Sequence, residues 1–389
     1  MDIIKRLRQA PMLYDGSKGV MLSRMGLGSD ECGETWNVTK PDMVRALHCD
    51  YVKAGADIIQ TNTFSGGRES LLRFHCAAGL YDINYNGVHL ARDAAGEGTF
   101  VAASIGPTGA IMEPSGEMSF DEALELFHEQ IVPLTDAGAD ILHFETFGDI
   151  SEVRAAIIAA KEKCGLPIFV TMTFTDTGYT FMGNSPEACA VICEGMGAAA
   201  VGANCSMGPD SLIQPVKRMS KVTSLPLIAK ANAGMPRMVD GKTVYDLGPE
   251  EFASYTAEYI DLGVRLIGGC CGTSPDYVKA IGEKLKGISY PALKETSGRY
   301  IASPRKVLDL DSDYEAGKVS FSGDIDDLLD DIDDISGDYD CIRIDLNGGE
   351  DIDPAEMAME LGSVQEPLIF ENGGDVLLQL LRYSPAEPA

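Results

Sequence analysis

Positive charge is scarce in this 389-residue chain, where 31 Lys and Arg stand against 60 Asp and Glu for a formal net charge of −29. That deficit excludes general nucleic-acid binding, which relies on Lys and Arg to neutralise phosphates. Long apolar runs are missing too. No stretch approaches the roughly 18 residues of a membrane-spanning helix. The opening MDIIKRLRQAPM holds neither a long apolar segment nor a cleavage site, so no secretory leader is expected there. Aromatics are few, and Trp36 is the only tryptophan. Cysteine, by contrast, is plentiful, with ten residues spread along the chain. Without a leader, that spread points to a reducing cytoplasm rather than a disulfide framework. The triplet Asn37-Val38-Thr39 is then a chance match to a glycosylation site.

The acid is unevenly placed. It concentrates toward the C-terminus, in runs such as DIDDLLDDIDDIS (324–336). The shift in composition places a boundary near residues 290–303, dividing the chain into a body over 1–295 and an extension over 303–389.

Short apolar runs recur through the first part. Strands are expected at 12–17, 57–64, 99–106, 141–146, 168–174, 199–205, 227–233 and 265–271. Helical stretches lie between them, such as PDMVRALHCDYVKAG (41–55), with proline at its start and glycine at its end. The runs are continuously apolar rather than alternating, as parallel strands buried on both faces require. Eight strand–helix units in about 290 residues fit an α/β fold of the (β/α)8 TIM-barrel type. An open doubly wound sheet would call for a glycine fingerprint after a strand. The faint one at Gly195–Ala200 precedes its strand and is set aside. The acidic tail reads as a small α/β extension, with strands at 306–310, 341–346 and 367–372 and helices at 324–336, 353–363 and 374–384.

Active sites of such barrels lie at the carboxyl ends of the strands. The sixth and eighth runs deliver Cys205 and the adjacent pair Cys270–Cys271 to that end. Neighbouring residues on a regular strand point to opposite faces. Gly268, Gly269 and Gly272 flank the pair and permit backbone angles that would turn both sulfurs inward. Three thiols at one mouth suit Zn²⁺ with one position open. A pair of small buried residues and a strained vicinal disulfide are the other readings. Asp15 and Glu145 also sit at strand ends, each in an otherwise apolar run. A charge there needs a solvent, a partner or a ligand. Asn204 and Asn232 close two further strands, and TNTF (61–64) adds hydroxyls and an amide.

GANCSMGP (202–209), AKANAGMP (229–236), YDLGPEEFA (245–253) and GGCCGTSPDYVKAI (268–281) together resemble the homocysteine S-methyltransferase family. NVTKPDMVRALHCDYVKAGADIIQTNTF (37–64) is similar to the homocysteine-binding module of cobalamin-dependent methionine synthases in particular. The resemblance covers residues 10–285. It implies that Cys205, Cys270 and Cys271 are zinc ligands, with Asn232 able to take the vacant position before substrate arrives. It also implies that Asp15 and Glu145 hold the amino group of homocysteine and that the backbone at Ser104 and Ile105 receives its carboxylate. The product would be methionine. The donor would be methylcobalamin on a separate corrinoid protein, or else S-methylmethionine or S-adenosylmethionine. Betaine is disfavoured by the lack of an aromatic cage. Two departures stand out. The family's usual DGAMGT reads DGSKGV here, with Lys18 in place of an apolar residue, and Gln60 stands where glutamate is common. A barrel that keeps zinc but only binds, or a corrinoid-demethylation component acting on another thiol, is the alternative reading. CIRIDLNGGEDIDPAEM in the tail loosely resembles the start of a folate-binding barrel, but 89 residues cannot build one.

Overall fold

Eight parallel strands form one continuous sheet in the computed structural model, which describes residues 2–76, 79–239, 242–294, 298–347 and 353–384. They are β1 (Met12–Leu13), β2 (Ile58–Gln60), β3 (Phe100–Ile105), β4 (Ile141–Phe147), β5 (Ile168–Met172), β6 (Ala200–Asn204), β7 (Leu227–Ala231) and β8 (Val264–Gly269). Each pairs with its sequence neighbours, and β8 pairs with β1. A parallel bridge between Tyr14 and Ile58 closes the ring, supported by Asp15 N donating to Ile58 O at 3.1 Å. The fold is a (β/α)8 barrel.

Helices cover the outside where the sequence put proline or Ser/Asp caps before apolar stripes. Pro41–Lys53 buries Val44, Leu47, His48 and Tyr51, a 3–4–7 spacing that defines one helical face. Phe120–Asp136 begins with a reciprocal Ser119–Glu122 capping box. Inside the barrel, Met12, Tyr14, Ile58, Ile141, Phe169, Ile228 and Leu266 fill the end where the strands begin. The helix Ile3–Gln9 adds Ile3 and Leu7 to that cluster and plugs the barrel bottom. The opposite end is left for loops.

Several strands stop short of their apolar runs. β2 ends at Gln60 because the TNTF side chains take over the bonding. Thr61 Oγ1 accepts from Ser104 N at 3.0 Å, Thr63 Oγ1 donates to Ser104 O at 2.7 Å, and Asn62 Nδ2 donates to Gly33 O at 2.9 Å. β6 and β8 likewise end just before their cysteines.

The tail holds three successive strand–helix units. Strands Ala316–Ser320, Cys341–Asp345 and Leu368–Glu371 pair in parallel in chain order, followed by helices Ile325–Ile335, Pro354–Leu361 and Gly374–Tyr383. Leu328, Ile332, Ile344, Met357 and Phe370 form a core separate from the barrel's. The run at 306–310 is no part of this sheet. Val307–Asp309 pairs antiparallel with Tyr300–Ala302. The first tail strand, AGKVS, escaped the sequence because Val319 is its only large apolar side chain. Residues 295–297 of the expected boundary, and 348–352 of the CIRIDLNGGEDIDPAEM stretch, lie outside the described residues.

The hairpin 300–309 has two faces. Ala302, Tyr300 and Val307 pack with the barrel core, whereas Ile301 and Leu308 pack with Cys341 and Ile369 of the tail sheet. Further contacts join the bodies. Arg154 Nη2 donates to Leu381 O at 2.6 Å, Arg382 pairs with Glu162 at 2.8 Å, and the rings of Phe120 and Tyr383 meet edge to face.

Candidate metal and substrate site

Cys205, Cys270 and Cys271 converge at the mouth, with their three Sγ atoms within 4.8 Å of one another and Cys205 and Cys271 at 3.7 Å. Local backbone geometry produces this. Past Asn204 the chain turns sharply through two left-handed residues, Cys205 (φ 63°) and Ser206 (φ 57°). Non-glycine residues rarely occupy that region, and each costs free energy there. Past Gly269, Thr273 N donates back to Cys270 O at 3.3 Å, closing a four-residue turn whose third position is Gly272 at φ 84°. Only this glycine supplies a left-handed angle. Gly268 and Gly269 remain on the strand and serve by being small. A Cβ on Gly268 would lie 2.6 Å from Tyr14 Cβ, and one on Gly269 would strike Thr273. The adjacent cysteines share one target because they lie in a turn, beyond the strand's alternation.

The donor set fits a tetrahedral metal. Sulfurs bound at about 2.3 Å stand roughly 3.8 Å apart in a tetrahedron, close to the Cys205–Cys271 spacing. Without a cation the thiols resist ionisation. A hydrogen bond with Cys270 lowers Cys205, but one with Cys271 and burial push it up to about 11. A hydrogen bond with Cys205 lowers Cys271, but one with Cys270 and burial push it up to about 12. The bond with Cys205 and burial raise Cys270 as well. A bound cation reverses that preference. Asn232 Oδ1 accepts from Cys271 N at 3.0 Å, which brings its amide beside the sulfurs. Asn204 Nδ2 reaches Cys270 Sγ at 3.7 Å and Thr146 Oγ1 at 2.8 Å.

Asp15, Ser104 and Glu145 meet on the other side of the mouth. Ser104 Oγ donates to Glu145 Oε1 at 2.5 Å, and Lys230 Nζ stands 3.4 Å from Glu145 Oε2. Burial alone would raise Glu145, but Lys230, His143 and Lys18 hold it down to about 2. Asp15 is fully buried. Its Oδ2 accepts from Gln60 N at 2.8 Å and from Lys18 Nζ at 2.6 Å, while Oδ1 has no partner among the described residues. Burial raises its pKa against the pull of Lys18 and Lys230. Ser104 N is already bonded to Thr61, and Ile105 is buried on β3 opposite Phe144.

Four neighbours were not singled out from the sequence. Lys230 lies over the Tyr14 ring at 4.7 Å. His143 is neutral because burial lowers it to about 3. It accepts from Gln60 Nε2 at Nδ1 and faces Thr171 Oγ1 at Nε2, each at 3.1 Å. Tyr245 packs its ring on Gly272, next to Cys271. Thr146, at φ 67°, donates from its N–H to Asn204 Oδ1. Lys230 in LIAKANA and His143 in ILHFET carry the signal that exposed Asp15 and Glu145: a polar residue inside an apolar run.

The family model for homocysteine S-methyltransferase matches residues 12–285. The chain belongs to the homocysteine S-methyltransferase family. It is 30% identical over 298 residues to methionine synthase of Mycobacterium leprae and 29% over 308 residues to that of Mycobacterium tuberculosis. These alignments cover 72% and 75% of this chain but 25% and 26% of the relatives, so the chain spans about a quarter of their length. Among solved structures, the metallated form of homocysteine methyltransferase MmuM from Escherichia coli superposes with a TM-score of 0.63 at 22% identity, covering 73% of this chain and all of that one. The apo form gives 0.57 at 24%. These likenesses establish the shared barrel.

Proposed function

We propose that this member of the homocysteine S-methyltransferase family transfers a methyl group to the thiol of homocysteine, giving methionine, with zinc held by Cys205, Cys270 and Cys271. The observation that carries the reading is the convergence of those three sulfurs at the barrel mouth. Zinc at that site supplies a Lewis acid that lets a substrate thiol lose its proton near neutral pH.

The chain's own residues do the rest. Asn232, whose Oδ1 accepts from Cys271 N, would fill the fourth position before substrate arrives. Glu145, kept ionised by Lys230, is offered to the substrate's amino group, and Asp15 is the second acid at that end. The carboxylate is assigned to the end of β3, at Ser104 and Ile105. Because Ser104 N is engaged by Thr61, Ile105 carries that assignment.

The donor is taken to be a methylated corrinoid on a separate protein. What supports a macromolecular carrier is apolar exposure in the loops after β5 and β7, on the face of the cysteines, where Phe181 and Met235 are 78% and 61% exposed. The cytoplasm, where thiols stay reduced, is the proposed setting. The test is methionine formation by zinc-replete protein with methylcobalamin, S-methylmethionine and S-adenosylmethionine in parallel. Turnover with methylcobalamin alone is the expected result. Turnover only with a sulfonium reassigns the donor, and none with any donor leaves a zinc-holding binding protein.

A further inference from the structure

Two lysines and two carboxylates already neutralise each other at the substrate end of the mouth. Lys18 and Lys230 balance Asp15 and Glu145, while Gln60 is uncharged and His143 is held neutral by burial. A substrate ammonium therefore meets no uncompensated negative charge. At Asp15 it finds no exposed oxygen that is unpartnered. Oδ2 is taken by Lys18 and Gln60 N, and Oδ1 is buried against protein. Glu145 is the one acid left to it, and that acid is shared with Ser104 and Lys230.

Lys18 is built into this position. Its side chain, 14% exposed, leaves the start of the helix Lys18–Arg24, folds back over three residues onto Asp15, and faces the Tyr51 ring at 5.8 Å. An ammonium has three N–H donors. Asp15 Oδ2 at 2.6 Å and Gly16 O at 3.2 Å take two, which leaves one for a substrate oxygen.

We infer that Lys18 stands in the place of a substrate ammonium, so that this site also accepts and methylates thiol carboxylates that lack an α-amino group. The inference rests on the thiol-methylating reading above and extends its substrate class. Such a ligand keeps the sulfur and the carboxylate of homocysteine and leaves the Asp15–Lys18 pair intact. Homocysteine must either displace Lys18 or bind through Glu145 alone. In the transfer, the thiol's proton goes to solvent and a sulfur–carbon bond forms. The cobalt–carbon bond of the methylated corrinoid breaks, and its electron pair stays with cobalt.

The experiment compares L-homocysteine with 4-mercaptobutanoate on the zinc-loaded 389-residue chain and on its Lys18→Met and Lys18→Arg variants. Calorimetric affinity is read first and kcat/KM with methylcobalamin second. In the unaltered protein the two thiols are expected to bind within about tenfold of each other. Lys18→Met should shift the ratio toward homocysteine by about tenfold or more, the size of one charged hydrogen bond, and Lys18→Arg should largely restore it. Homocysteine bound more than about a hundredfold more tightly by the unaltered protein, or a ratio that Lys18→Met leaves unmoved, overturns the inference. Binding with that pattern but no methyl transfer overturns the extended activity and the proposed function, yet keeps the head-group assignment. No binding of either thiol to zinc-loaded protein overturns all three.

Discussion

At the scale of single residues, the site is a set of opposed charges beside a set of thiols, and the two fail differently when altered. Cys205→Ser is expected to lose stoichiometric zinc and methyl transfer while metal-free protein keeps the parent's far-UV circular dichroism, since Cys205 lies in a loop beyond β6. Full zinc content in that variant, by metal analysis, contradicts the ligand assignment. Glu145→Gln strands Lys230, which is 2% exposed, without a counter-charge. A loss of about 3 kcal/mol in urea unfolding is expected, much of it recovered by adding Lys230→Met. If the double variant is no better than the single, the pair is not coupled. The sequence exposed Asp15 and Glu145 because each interrupts an apolar run, and the cysteines because they close strands, two of them side by side among glycines. It could not pair Lys230 with Glu145, because 85 residues separate them and only barrel closure brings β7 across to β4.

At the scale of elements, helices were legible and strand ends were not. Proline, serine and glycine punctuate the helices locally, whereas β2 ends where its own TNTF side chains bond the backbone of Ser104 and Gly33, and β6 and β8 end in backbone turns at Cys205–Ser206 and Cys270–Thr273. Two helices carry testable polar burials. His48, on the inner face of Pro41–Lys53, has neither ring nitrogen bonded among the described residues, and burial lowers its pKa to about 3. His48→Leu should stabilise the protein by about 1 kcal/mol in urea unfolding, because two unsatisfied nitrogens leave the core. A loss of stability would show that the ring has a partner. Glu152, in the helix Ile150–Lys163, accepts from Thr108 N and Oγ1 at 2.7 Å each. Burial raises it to about 7, the Thr108 bonds oppose this, and nearby Asp149 adds to it. The native state therefore holds a proton that the unfolded chain releases near 4.5. Stability from this group is complete below about 4.5 and is lost as pH rises through about 7. Glu152→Gln should flatten that fall in a series of melts from pH 4.5 to 8, and an unchanged slope would assign it to another group.

At the scale of the molecule, the eight-fold alternation made the barrel readable, since parallel strands under helices leave a periodic apolar record. The tail's composition marked it as different, but its order was only partly visible, because AGKVS hides a strand behind a single valine. We place the division between the two bodies after the hairpin rather than before it, since Ala302 and Val307 belong with the barrel's core. A chain ending at Leu310 should keep the barrel's circular dichroism and zinc content, with a lower melting temperature from the uncovered Ile301 and Leu308. Aggregation or loss of zinc would mean that the barrel needs the tail. The hairpin's two-sidedness has a thermal consequence as well. A ribbon with one row of side chains sunk in each body cannot release either without uncovering the other. Scanning calorimetry of the whole protein should thus give one endotherm whose van't Hoff and calorimetric enthalpies agree, although the chain folds around two separate centres.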